Sequence, residues 1–74
     1  MAVIKVSSET AGSIWQVLVK PGDSVAADDV LMILESMKME IPITAPVAGR
    51  VAEIYVTEKT PVAADDVVAT LIPD

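Results

Sequence analysis

The side chains that could do chemistry in this 74-residue chain are few. It has no Cys and no His. That removes the thiol nucleophile, the thiolate metal site, the commonest general base and the commonest transition-metal ligand. Without an imidazole, the hydroxyls of Ser7, Ser8 and Thr10 have nothing to activate them. Two carboxylate pairs, Asp28-Asp29 and Asp65-Asp66, sit in the same repeated setting, Val-Ala-Ala-Asp-Asp-Val. That setting favours turn and capping roles over acid–base work. What remains are the primary amines of Lys5, Lys20, Lys38 and Lys59, of which only Lys38 is held between two thioethers, in Glu35-Ser36-Met37-Lys38-Met39-Glu40. An amine becomes a nucleophile only after its ammonium loses a proton, so it needs either a local base or a partner that supplies one.

The position of Lys38 in the chain singles it out. Slid by 37 positions, the sequence falls on itself: Ala11-Gly12 meets Ala48-Gly49, and Val25 to Val30 meets Val62 to Val67 without a gap. Val19 meets Val56, Leu34 meets Leu71, and Ile4 meets Ile41. The chain is a half-domain written twice, roughly 4–37 and 41–74, joined by Lys38-Met39-Glu40. The joint is unrepeated, and function is expected there.

The apolar residues say what positions it. There are twelve Val and seven Ile against four Leu, with no Phe, a set that packs on pleated sheets and loses rotamer freedom in helices. Strands are expected over 2–6, 13–19, near Val25, 30–34, 40–44, 50–56, near Val62 and 67–72. Turn residues divide them, notably Lys20-Pro21-Gly22-Asp23 and Ala45-Pro46. Four short strands cannot cover their own apolar faces, but two such sets facing each other across a pseudo-dyad can. The expected fold is therefore all-β, one domain over residues 1–74: a flattened barrel or sandwich of two four-stranded antiparallel sheets with quasi-two-fold internal symmetry. Lys38 should stand at an exposed tip, with the chain termini at the opposite end. Pro42 falls inside a strand, so its missing amide hydrogen should face an edge or a gap. A tip at Met37-Lys38 breaks the preference of two-residue hairpin turns for Asn-Gly or Asp-Gly, as functional positions often do. On residues alone, a solvated turn lysine with both methionines folded onto the core reads equally well.

Composition also excludes classes. A net charge of −6 repels a phosphate backbone, which argues against nucleic acid. No apolar run is long enough to span a bilayer, and Met1 to Val6 lacks the stretch of a secretory signal. A soluble, cytoplasmic protein is the default expectation.

Glu35-Ser36-Met37-Lys38-Met39-Glu40 resembles the attachment motif of the biotinyl/lipoyl attachment family, biotin carboxyl carrier type, which usually reads Glu-Ala-Met-Lys-Met around the modified lysine. Val19-Lys20-Pro21-Gly22-Asp23-Ser24-Val25 and Ala45-Pro46 with Gly49 look like that family's flanking turns, so the resemblance covers nearly the whole chain. It implies covalent biotin on Lys38, attached by a biotin protein ligase, with Met37 and Met39 as recognition elements for the ligase or partner sites. It implies a non-catalytic carrier whose biotin takes up carboxylate at a biotin carboxylase site and hands it on at a carboxyltransferase site. Acetyl-CoA or another acyl-CoA would be the acceptor, in fatty acid biosynthesis, and the carrier itself a monomer. Ser36 replaces the family's usual Ala, and Asp28 stands where Gly is frequent. Lys59 is the repeat counterpart of Gly22 and is expected to open or distort its loop. Two alternatives stay open: a lipoyl carrier, whose tip typically reads Asp-Lys-Ala, and an unmodified interaction domain of the same fold.

Overall fold

The computed structural model describes residues 3–74. Ala2, expected to open the first strand, lies outside the described residues. Eight strands follow in order: β1 (Ile4–Ser7), β2 (Gly12–Val17), β3 (Ser24–Val25), β4 (Val30–Ser36), β5 (Met39–Thr44), β6 (Gly49–Ile54), β7 (Pro61–Val62) and β8 (Val67–Pro73). There is no helix among the described residues.

Strands β2, β3 and β4 map onto β6, β7 and β8 with the same 37-residue offset at both ends. The register repeats too. Ile4 opposite Leu71 becomes Ile41 opposite Leu34, and Ile14 opposite Leu34 becomes Val51 opposite Leu71. One sheet is ordered β1-β8-β6-β3 and the other β5-β4-β2-β7. Exchanging the halves turns one order into the other, so the quasi-two-fold operation swaps the sheets. The sheets are not the halves, however. The two sets interlace, and each sheet takes two strands from each half.

The core lies between the sheets and is built from matched pairs: Ile14 with Val51, Leu31 with Val68, and Leu34 with Leu71, each at most 1% exposed. Register shifts fall at equivalent places, leaving Trp15 and Ala52, and Leu31 and Val68, without an opposite residue. An extra residue of this kind lets consecutive side chains face inward, which is how Leu31 and Met32 are both fully buried.

The expectations over 13–19 and 50–56 run too far. Pairing stops at Val17 and Ile54, with one last bond from the Leu18 amide to the Leu31 carbonyl and its mate from Tyr55 to Val68, both 2.9 Å. Val19 and Val56 still pack against the core from outside any strand, so their apolar character carried the pattern past the end of the ladder. Pro42 lies in β5, an edge strand, where its missing donor costs least.

The loop at Lys59 is neither opened nor distorted. Asp23 donates to the Lys20 carbonyl at 3.1 Å, and Thr60 donates to the Thr57 carbonyl at the same distance. Lys59 instead takes the left-handed backbone of its counterpart, φ 72° against 94° at Gly22. Bonds made by the loop on both sides outweigh about 1–2 kcal/mol of left-handed strain.

Candidate functional site

Strands β4 and β5 pair as far as their shared turn. Leu34 faces Ile41, Glu35 faces Glu40, and Ser36 faces Met39. That leaves two residues, Met37 and Lys38, to reverse the chain. Both are left-handed, at φ 52° and 64°, the backbone that a two-residue type I′ turn demands and that Asn-Gly would supply without strain. The hairpin holds because its base is anchored elsewhere. Leu31, Met32 and Leu34 fix one face of β4 in the core, and β2 flanks β4 on the side away from β5. Gly12 lets β2 come close, since a Cβ there would collide with the Glu35 backbone carbonyl.

At the tip Met37 is 92% exposed, Met39 is 65% exposed, and Lys38 is exposed as well. Two large apolar side chains are held in water, on both sides of one amine, at the cost of backbone strain. Neither methionine fills the core; Met32 does that, fully buried. Glu35 and Glu40, both exposed, are opposite partners one pair below Ser36 and Met39. Like charges so placed repel each other. Sequence reading overlooked this pair, although a turn at Met37-Lys38 fixes it by counting outward from the tip.

An amine in this position can be acylated by a large partner site, because nothing on its own domain must move to expose it. The residues present therefore suit a covalently tethered group. The remaining sequence candidates have structural roles. Ser8 is buried, and its hydroxyl donates to the Thr10 carbonyl at 2.6 Å. Asp29 and Asp66 each accept from an alanine amide, Ala26 and Ala63, at 2.9 and 2.8 Å. Asp28 and Asp65 supply left-handed turn residues at φ 72° and 70°. Among the described residues no cluster of His, Cys, Asp or Glu could hold a metal ion, and no helix is long and apolar enough to cross a membrane.

This geometry has counterparts. The family described as biotin-requiring enzyme, the biotin/lipoyl family, matches residues 2–71. The chain is 55% identical over 40 residues to the biotin/lipoyl attachment protein of Bacillus subtilis, covering 54% of this chain and 55% of that protein. It is 50% identical over 42 residues to the biotinylated protein TB7.3 homolog of Mycobacterium leprae, covering 57% and 59%. These matches thus span little more than half the length of either curated relative. In structure it resembles part of the urea carboxylase of Kluyveromyces lactis, with a TM-score of 0.92 at 32% identity, over 97% of this chain and 6% of that enzyme.

Proposed function

The chain belongs to the biotin-requiring enzyme family, and we propose that it is a biotin carboxyl carrier loaded on Lys38. The observation that carries this reading is the β4–β5 tip, where one amine is offered to solvent between two exposed methionines. In this reading a biotin protein ligase holds the activated carboxyl of biotin against the tip and assists deprotonation of the ammonium. Lys38 Nζ attacks the acyl carbon, the adenylate leaves, and the nitrogen sheds a second proton as it becomes an amide. The product is uncharged, and the tether is long and flexible. Met37 and Met39 give the ligase and later partners an adaptable apolar grip.

Biotin bound there supplies transport of a carboxyl group from a biotin carboxylase site to a carboxyltransferase site. The chain's own contribution is effective concentration: a tethered arm visits both sites without diffusing away. It makes and breaks no bonds beyond the tether. The acceptor is an acyl-CoA, with acetyl-CoA first, which sets the carrier in cytoplasmic fatty acid biosynthesis as a monomer between encounters. The likeness to part of a carboxylase supports the carrier role.

Intact mass of the chain co-expressed with a biotin ligase tests the assignment. Wild type should gain one biotinyl group and Lys38→Arg none. Gain of a lipoyl group would identify the lipoyl carrier instead, and no gain an unmodified interaction domain. Biotin retained on Lys38→Arg would refute the site.

A further inference from the structure

Three methionines lie among the described residues, and the structure sorts them sharply. Met32 is fully buried in the core, whereas Met37 and Met39 are 92% and 65% exposed on either side of Lys38. A thioether must meet a hydroperoxide to react with it, so burial protects and exposure invites. We propose that Met37 and Met39 are oxidation sites for hydrogen peroxide and related hydroperoxides, and that their sulfoxides block loading of Lys38. The inference rests on the reading of Lys38 as the attachment site.

The step balances without a further reactant. A sulfur lone pair attacks one peroxide oxygen and the O–O bond breaks. The sulfur loses two electrons in becoming a sulfoxide. The departing oxygen gains them, takes up the proton that the transferred oxygen gives up, and leaves as water, or as an alcohol when the oxidant is an alkyl hydroperoxide. No bond within the fold is disturbed, because both side chains project from the sheet's end. The surface around the amine does change. Two flexible apolar arms become polar ones of the same length, each with a strong hydrogen-bond acceptor that a partner must strip of water. Glu35 and Glu40 face each other in the second pair from the turn, so the added acceptors join a tip that already carries two carboxylates. Lys38 Nζ keeps its exposure and its chemistry. What fails is recognition of its neighbours.

The test uses the whole chain. Purified protein is treated with hydrogen peroxide, the peroxide is destroyed with catalase, and peptides are mapped by mass. Loading by biotin ligase is then timed. Oxidation should fall on Met37 and Met39 while Met32 stays intact, and loading should slow by roughly tenfold to a hundredfold, as expected for burying an unpaired acceptor. Methionine sulfoxide reductase should restore the rate. Oxidation of Met32 at an equal rate would overturn the proposal, as would unchanged loading of the doubly oxidised tip or failure of the reductase to rescue it. Absence of loading before any peroxide is added would count against the Lys38 reading itself, so the two failures are separable. Met37→Leu with Met39→Leu keeps the apolar volume. If the proposal holds, loading of that variant is insensitive to peroxide; sensitivity would place the damage elsewhere.

Discussion

Lys38 and Lys59 are both exposed lysines in left-handed backbone at two-residue turns, yet only one is built for display. Lys59 stands where the first half has Gly22, and its amide is bonded to the Ile14 carbonyl at 2.6 Å, so its turn lies tied against β2. Its φ follows the pattern of a type II turn, positive at the third residue only. Lys38 sits in a turn that is positive at both central residues, at the end of two strands paired up to it. Left-handed strain alone therefore does not mark a site. Projection does, and it comes from a hairpin that outruns the sheet behind it.

Beyond the loss of loading expected for Lys38→Arg, the largest effect should come from the seat of that hairpin. A Cβ on Gly12 would meet the Glu35 carbonyl, and one on Gly49 would meet the Ile72 carbonyl. Each alanine variant should lose about 1–3 kcal/mol in chemical denaturation, the usual range for overpacking. Only Gly12→Ala should also slow loading, because its clash falls under the tip. Equal loading rates for the two variants would break the comparison.

Next comes relief at the tip itself. Met37→Asn with Lys38→Gly gives the turn its preferred residues and should stabilise the fold by about 1 kcal/mol or more while abolishing loading. A thermal melt beside an intact mass reads both outcomes. Lys59→Gly should add about 1 kcal/mol as well, a rise of roughly 4–8 °C in Tm for a domain of this size, with loading unchanged. The smallest expected effect is none at all. Glu58→Met with Thr60→Met places Met-Lys-Met around Lys59, and intact mass should show no second biotin, because that turn is tied down. A doubly loaded chain would mean that motif outweighs projection.

Much of this was legible before any coordinates. The 37-residue offset matched three strands of one half to three of the other, though not their ends, and the unrepeated joint located the tip. Pro42, expected to face an edge or a gap in the ladder, lies in an edge strand. The exposure of Met37 and Met39 was not legible, since methionine serves equally well in a core and on a surface. Periodicity tells which way a side chain faces but not which strand lies beside it, so the interlacing of the halves was out of reach. For the same reason Val19 and Val56 stretched two strands past their ends: burial and pairing coincide inside a ladder and part company where it stops. The loop at Lys59 is not legible from one residue's preference, because its bonds to β2 decide its shape.

The interlacing has a consequence for origins. Of the six strand pairings among the described residues, four join strands from different halves, and only β2 with β4 and β6 with β8 stay within one. A half-length chain on its own could form one hairpin-like pair and little else. Two such chains wound together would satisfy every one of the pairings. In topology the present protein equals that intertwined pair with one partner's tail joined to the other's head, and the joint is the loop that holds Lys38.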